Sequence, residues 1–355
     1  MDLKKILSQA VKENASDIHF KVGSPPLLRC GGILSRLPEP AIKKEDCEKI
    51  LDEVLTPPEK KRFTAEQELD KGMELPGFCR LRINLSVEKG ALRIVFRLIP
   101  SSPLSIEELH LPGVLEKIAR SPRGLILVAG ETGAGKTTTL ATIIDYINTH
   151  FAKHIITIED PIEFLHQDKK SIVTQREIGT DTKSFSSSLR YVLRQDPDVI
   201  LIGEMRDLDT AKAAISAAET GHLVLSTLHT NNSIETINRI LDIFPPNQQS
   251  QIRKQLAATL VAAICQRLLP KKDGSGRVPA VEILISTALI KEKILKSQLP
   301  NIPKLMEEGK TIYGMQTFDM ALLELVKSGQ VSEEVALIAS TSPTDFSLKL
   351  KGFAD

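Results

Sequence analysis

The sequence predicts an α/β protein whose larger part is built on a mostly parallel sheet. Four short apolar runs have the length and composition of buried strands, at 125–129, 155–158, 199–202 and 223–225. Segments with helical spacing alternate with them, at 138–150, 183–194 and 209–220. Continuous apolar strands that alternate with helices are typical of a parallel sheet covered on both faces.

A phosphate-binding loop follows the first of these strands. Residues 130–137 read Gly-Glu-Thr-Gly-Ala-Gly-Lys-Thr, which fits G-x-x-x-x-G-K-[ST] between a strand and a helix. In such a loop backbone N–H groups surround the phosphates, Lys136 reaches the outer phosphates and Thr137 ligates magnesium. The predicted nucleotide contacts are Gly130, Glu131, Thr132, Gly133, Ala134, Gly135, Lys136, Thr137 and Thr138.

Carboxylates follow the second and third strands, at the edge where parallel sheets bind ligands. The run Glu159-Asp-Pro-Ile-Glu163 suits water positioning, the metal shell, or simply a turn around the proline. The third strand ends in Gly203-Glu204, where the general NTPase pattern has an aspartate that holds magnesium. We therefore expect Glu204 to polarise the attacking water or to organise magnesium through its hydration shell, with Glu163 as a candidate base.

Two histidines flank the fourth strand. His222 precedes it, and His229 follows it within a run of Ser, Thr and Asn. Together they predict a sensor for the nucleotide phosphates, although a histidine near a strand is also a common hydrogen-bonding residue. Zinc is the weaker alternative, because no Cys or third His accompanies them at ligand spacing.

The first hundred residues predict a smaller α+β domain that contains a β-hairpin. Apolar residues recur with a period of two over 80–87 and 92–98, on either side of a turn at Glu88-Lys89-Gly90. One face of this hairpin is rich in arginine: Arg80, Arg82, Arg93 and Arg97. These side chains either form a solvated face with carboxylate partners or reach a phosphate at a domain or subunit boundary, as arginine fingers do.

The length and composition of the sequence limit the number of domains and the kinds of molecule that the protein can bind. The expected boundaries are a domain at 1–100, a linker at 101–112 and a second domain at 113–355 with helices from residue 286 onward. A net charge of +1, 4% aromatic residues and the lack of Trp argue against nucleic-acid binding. The four cysteines are far apart in sequence, which argues against structural zinc and disulfides. No signal peptide or membrane span is predicted, so we expect a soluble cytoplasmic protein.

These motifs resemble those of the secretion ATPase superfamily. The phosphate loop corresponds to its Walker A box, 157–163 to its aspartate box, 198–204 to its Walker B box and 220–230 to its histidine box. The runs at 15–19, 23–26 and 314–319 extend the resemblance over nearly the whole chain, and they are most similar to the retraction ATPases of type IV pili.

The resemblance implies a PAS-like N-terminal domain, a RecA-like C-terminal domain and a homohexameric ring with nucleotide between the two domains. ATP and Mg²⁺ are the implied cofactors, and Arg82 and Arg97 are implied to help close the site. The implied function is ATP hydrolysis that drives pilus retraction and twitching motility. The implied partner is an inner-membrane pilus platform protein, which would place this cytoplasmic chain at the periphery of that membrane.

Several alternatives remain open at this point. Pilus-assembly and type II secretion ATPases are close relatives, but they typically carry an extra N-terminal domain and a four-cysteine metal motif, neither of which is found in this sequence. A RecA-like nucleic-acid motor is disfavoured by charge, and a switch that binds ATP but scarcely hydrolyses it is a further possibility. One departure concerns retraction itself: the family signature Ala-Ile-Arg-Asn-Leu-Ile-Arg-Glu is expected near 287–296, where this chain reads Thr-Ala-Leu-Ile-Lys-Glu-Lys-Ile-Leu-Lys.

Overall fold

The computed structural model describes residues 2–13, 15–75, 79–99 and 103–352. The chain divides into two compact units. The first comprises Met1–Ser102 together with Pro161–Leu165, and the second comprises Pro103–Asp160 with His166–Asp355.

The described part of the first unit forms one antiparallel sheet of six strands, in the order β3-β2-β1-β6-β5-β4, with three helices. Its elements are α1 Leu3–Lys12, β1 Asp17–Lys21, β2 Leu27–Cys30, β3 Ile33–Arg36, α2 Lys44–Val54, α3 Pro57–Glu66, β4 Glu68–Leu75, β5 Cys79–Glu88 and β6 Ala91–Ile99. Phe20 and Phe96 meet edge to face in its core, with ring centroids 5.2 Å apart. The core therefore lies on one face of the sheet, because side chains alternate between faces along each strand.

The predicted hairpin is confirmed as β5 and β6. Glu88 pairs with Ala91 across the turn. Lys89 and Gly90 both have positive φ, at 52° and 76°, as a two-residue hairpin turn of the primed type requires. Arg82 pairs directly with Arg97 on the face away from the core, so their guanidinium groups need compensating carboxylates nearby.

The described part of the second unit contains a sheet of seven strands in the order β13-β12-β7-β11-β10-β8-β9. The strands from β9 to β12 in that order are all parallel to their neighbours, and β13 is antiparallel to β12. Its elements to the end of β11 are α4 Val114–Ala119, β7 Gly124–Ala129, α5 Lys136–His150, β8 His154–Glu159, β9 Ile172–Glu177, α6 Phe185–Val192, β10 Val199–Ile202, α7 Leu208–Glu219 and β11 Leu223–Leu228.

The remaining elements complete the sheet and then turn helical. They are α8 Ser233–Asp242, α9 Pro246–Thr259, β12 Leu260–Pro270, β13 Arg277–Ile285, α10 Ala288–Leu295, a 3₁₀ turn at Leu299–Asn301, α11 Ile302–Glu308, α12 Lys310–Tyr313, α13 Phe318–Lys327, α14 Glu333–Ala339 and α15 Pro343–Leu350. The helical pattern expected after residue 286 is therefore present. None of the helices in the described ranges is long and apolar enough to cross a bilayer.

The domain boundaries differ from the expected ones in two respects. The described part of the expected linker, residues 103–112, belongs to the second unit, where Ile106 and Leu111 are buried. The segment 161–165 groups with the first unit, where the side chain of Arg80 donates from Nε to the carbonyl oxygen of Ile162 at 2.8 Å. A composition change along the chain marks where a domain ends, but it does not show a later segment that returns to that domain.

Candidate nucleotide site

The phosphate loop has the backbone that its glycines predict. It leaves the fully buried strand β7 at Gly130, where φ is +150° and an added Cβ would lie 2.5 Å from the carbonyl oxygen of Gln266. Gly135 has φ of +89° and stands immediately before α5, a helix of 15 residues. The loop therefore ends at a helix N-terminus, whose backbone N–H groups and positive dipole suit phosphate.

The ammonium group of Lys136 is held within this loop. Its Nζ donates to the carbonyl oxygens of Gly130 at 2.8 Å and Glu131 at 2.9 Å, and the residue is 9% exposed. Thr137 and Thr138 follow in the first turn of α5. The positive charge of Lys136 is thus placed beside the backbone that would surround the phosphates.

A buried hydrogen bond from β12, which no local sequence signal indicates, supports the loop. Thr139 donates from Oγ1 to Oε1 of Gln266 at 2.8 Å, and both side chains are buried. The other end of this amide lies close to Gly135, because a Cβ added there would stand 2.9 Å from Nε2 of Gln266. Gln266 therefore fixes both the end of the loop and the start of α5 from a strand 127 residues further along the chain than Thr139.

Glu204, Arg206 and His229 lie together after the carboxyl ends of β10 and β11. One oxygen of Glu204 is 2.5 Å from Nε of Arg206, and the other is 3.5 Å from Nε2 of His229. Burial lowers the pKa of His229 below its ordinary value, and the positive charges of Lys136 and Arg206 act in the same direction against the opposing effect of Glu204. His229 is therefore neutral at neutral pH and able to donate or accept a hydrogen bond.

The structure does not place His222 with these residues. β11 runs parallel to β7, and the carbonyl of His222 accepts from the N–H of Gly124 at 2.9 Å, at the start of both strands. About 20 Å of extended strand therefore separates His222 from His229. Nδ1 of His222 instead lies 2.9 Å from the carbonyl oxygen of Ala217 at the end of α7. Within one chain His222 and His229 therefore do not lie together, and the expected phosphate-sensing role of each stays a prediction.

The two ends of the carboxylate-rich run are held differently. Glu159 is buried at the end of β8, where Oε1 accepts from Oγ1 of Thr157 at 2.6 Å and from Nε2 of Gln175 at 3.1 Å. Oε1 of Gln175 in turn accepts from the backbone N–H of His166 at 2.8 Å. The side chain of Gln175 in β9 therefore bonds to both residues that border the loop 160–165.

Glu163, Arg82 and Arg97 belong to the first unit, where each has a partner of opposite charge. Arg82 lies 3.3 Å from Glu163 and 4.0 Å from Asp70, and Arg97 donates to Asp17 at 2.9 Å. These contacts supply the carboxylates that two facing arginines require on a sheet. The expected roles of Glu163 as base and of Arg82 and Arg97 in closing the nucleotide site stay predictions.

A sequence profile of the type II/IV secretion system protein family matches residues 58–340. This match covers most of the chain. The chain belongs to the type II/IV secretion system protein family.

Relatives of this secretion system protein match it over nearly its full length. It is 42% identical over 346 residues to the type IV pilus retraction ATPase PilT of Pseudomonas aeruginosa, covering 98% of this chain and 100% of that protein. It is 44% identical over 311 residues to a twitching motility protein of Neisseria gonorrhoeae, covering 88% of this chain and 83% of that protein. The crystal structure of the pilus retraction motor PilT with bound ADP matches with a TM-score of 0.90 at 43% identity, covering 97% of this chain and 98% of that one.

These matches confirm two predictions made from the sequence. The α/β fold class with a mostly parallel sheet is confirmed, and so is membership of the secretion ATPases. The secretion system protein is therefore an ATPase. The nucleotide contacts expected of its phosphate loop stay predictions.

The donor groups of this secretion system protein fit magnesium better than zinc. Thr137 offers a hydroxyl and Glu204 a carboxylate, and Mg²⁺ prefers oxygen ligands and keeps several waters when it is bound with nucleotide phosphates. No group of three or more His, Cys, Asp or Glu side chains within the described ranges is arranged to hold a metal ion. The zinc alternative for the histidines therefore gains no support from these residues.

Proposed function

We propose that this ATPase hydrolyses ATP to drive retraction of a type IV pilus. The observation that carries this proposal is the full-length similarity to PilT, which covers 98% of this chain and all of that protein. Both compact units, the phosphate loop and the C-terminal helices fall within the matched length. A motor needs its moving domain as well as its nucleotide site, so similarity over the whole chain supports the function more strongly than similarity over the site alone.

The chain's own residues divide the work of hydrolysis. The loop backbone and Lys136 bind the phosphates, and Thr137 and Glu204 would hold magnesium, directly or through its waters. When bound, magnesium neutralises charge on the transferring phosphoryl group. Glu163 is the proposed base.

Glu204 and His229 form a second part of the proposed machinery. Their contact of 3.5 Å places a carboxylate and a neutral imidazole side by side after two neighbouring strands. A neutral imidazole has one donor nitrogen and one acceptor nitrogen, so His229 can donate either to Glu204 or to a phosphate oxygen, while its other nitrogen accepts from water. We propose that His229 senses the outer phosphate and that Glu204 orients the attacking water or the metal hydration shell.

We also propose that Arg82 and Arg97 act as a charge clamp on the transferring phosphoryl group in a homohexameric ring. Both belong to the first unit, and a guanidinium has the forked geometry that suits an oxyanion. The proposed target of the ring is the inner-membrane platform protein of the pilus, as the family resemblance implies.

The experiment that tests this function is a count of surface pili on cells that lack the gene and on cells that carry Glu204→Ala. We expect more pili and lost surface motility in both strains. Glu219→Ala is the matched control, because Glu219 is an exposed carboxylate at the end of α7 that bonds to Gln255. Cells without pili would mean that the protein assembles pili, and an unchanged count would remove pilus retraction as its function.

The same strains test whether the altered sequence at α10, which differs from the signature of the retraction family, is compatible with retraction. This helix begins at Ala288 and carries the exposed Leu289 beside Lys291, where the retraction family has a different sequence. Excess pili in the deletion strain, reversed by the wild-type gene, would show that the altered sequence at α10 is tolerated in a retraction motor.

A further inference from the structure

A buried carboxylate in β13 lies at the start of two helices. Glu282 is 7% exposed, and its Oε1 accepts from the backbone N–H of Ser233 at 2.7 Å and from its Oγ at 2.8 Å. The backbone N–H of Phe318 also donates to this carboxylate. Ser233 and Phe318 are the first residues of α8 and α13, each 10 residues long. A negative group at these positions satisfies unpaired helix N–H groups and complements both helix dipoles.

The residues that lead into α8 are the ones that follow His229. Ser233 is four positions after His229, and the positions between them are tied down by further bonds. Thr230 is 2.8 Å from Thr236 through their hydroxyls, and Thr236 donates to the carbonyl oxygen of Asn232 at 2.8 Å. Because so short a hydrogen-bonded segment has little conformational freedom, the position of Ser233 constrains the position of His229.

Arg267, on the neighbouring strand β12, extends the same network toward the C-terminal helices. Its guanidinium lies 4.0 Å from the ring centroid of Phe318 and donates to the carbonyl oxygen of Ala339 at the end of α14. The Nη2 atom of Arg267 is 3.5 Å from the carbonyl oxygen of Asn231, two residues after His229. The loop after β11 and the C-terminal helices therefore share contacts with two charged side chains of one hairpin.

We propose that Glu282 is a positioning residue for ATP hydrolysis, which fixes His229 against Glu204 by holding the first residue of α8 and links that loop to α13. The proposal rests on the proposed function in one respect, namely that His229 acts in hydrolysis. It assigns Glu282 no contact with nucleotide. Burial raises the pKa of Glu282, and the hydrogen bonds from Ser233 and Phe318 and the positive charge of Arg267 oppose that rise. A carboxyl group that served only for packing here would be costly, because apolar residues fill such a position without a desolvation penalty.

The test compares Glu282→Gln with wild type by hydrogen–deuterium exchange and by steady-state ATPase kinetics. Glutamine keeps the size of the side chain and one acceptor oxygen, but it loses the charge and replaces the other oxygen with a donor that cannot accept from a helix N–H. We expect amide exchange in 229–236 to become about tenfold faster, while exchange in 136–150 is unchanged. We expect kcat for ATP to fall about tenfold with KM changed less than about twofold, because misplaced catalytic groups affect turnover more than binding.

Two further variants separate positioning from general loss of stability. Ser233→Ala removes one of the donors to Glu282. The variant that combines Ser233→Ala with Glu282→Gln should therefore lose no more activity than Glu282→Gln alone. Thr287→Ala removes the N-cap of α10, whose Oγ1 accepts from the N–H of Ile290, and leaves the α8 start intact. It should lower the melting temperature without changing exchange in 229–236.

The outcomes are distinguishable from failure of the proposed function. Unchanged exchange in 229–236 of Glu282→Gln would overturn the proposal whatever the ATPase rate, and so would faster exchange there with an unchanged kcat. If wild-type protein hydrolysed no ATP, the proposed function would fail while the exchange experiment still decided whether Glu282 holds the loop.

Discussion

Acid should weaken the fold of the second unit through one half-buried histidine. His166 stands where the chain re-enters this unit, and its Nδ1 is buried with no hydrogen-bond partner among the residues that the structure describes. Burial lowers the pKa of His166 from 6.5 to about 4, which the nearby carboxylate of Asp145 only partly offsets. The folded chain therefore resists taking up a proton that the unfolded chain accepts readily.

The sign and size of this effect follow from proton linkage. Because the unfolded chain binds the proton from pH 6.5 downward and the folded chain only near pH 4, the free energy of unfolding falls as pH drops between these values. The full difference corresponds to about 3 kcal/mol, at about 1.4 kcal/mol for each tenfold change in proton affinity. Between pH 7 and pH 5 the loss from this residue is about 2 kcal/mol.

The measurement is urea unfolding of wild type and His166→Phe at pH 7 and pH 5, followed by circular dichroism. Phenylalanine keeps a ring but cannot be protonated, so the variant should lose about 2 kcal/mol less than wild type on acidification. His110→Asn is the control, since His110 is exposed and has a positive φ of 54° that Asn tolerates. Equal losses in wild type and His166→Phe would show that protonation of His166 does not cause the acid destabilisation.

Two other predictions concern the nucleotide site. Gly135→Ala should cost about 1–2 kcal/mol of backbone strain and displace Gln266, so ADP should bind about tenfold more weakly in a titration. Gly221→Ala is the control, because Gly221 also has a positive φ, +112°, but no atom lies within 4 Å of the added Cβ. This variant should bind ADP as tightly as wild type. Equal affinities for ADP in wild type and Gly135→Ala would count against this account of the loop. Arg82→Ala and Arg97→Ala should each fold but lose most ATP turnover, and normal rates in both would leave these arginines with a structural role on the sheet.

Local sequence was enough to predict the phosphate loop and the strands around it. The pattern of residues 130–137 requires a strand before it and a helix after it, and β7 and α5 stand in those places. The hairpin β5–β6 was equally predictable, because a period of two and a Lys89-Gly90 turn are both local signals.

Contacts between distant parts of the chain were not predictable in the same way. β12 starts at Leu260, directly after α9 ends at Thr259, so no glycine, proline or run of polar residues marks the change from helix to strand. Without β12 and β13 in the sheet, neither Gln266 behind the phosphate loop nor Glu282 beneath α8 could be assigned a role. The sequence placed His222 before β11 and His229 after it, but it did not show the contact between His229 and Glu204, which joins residues that follow two different strands.

Hydrolysis of ATP at the phosphate loop is tested most directly by the ATPase rate of purified wild-type protein beside that of Lys136→Ala. We expect wild type to turn over ATP and the variant to lose about a hundredfold or more, because Lys136 is the loop's charged contact with the outer phosphates. Lys153→Ala is the control, since Lys153 pairs with Asp198 at the start of β10, away from the loop. A rate in Lys136→Ala equal to that of wild type would show that ATP is not hydrolysed at the phosphate loop.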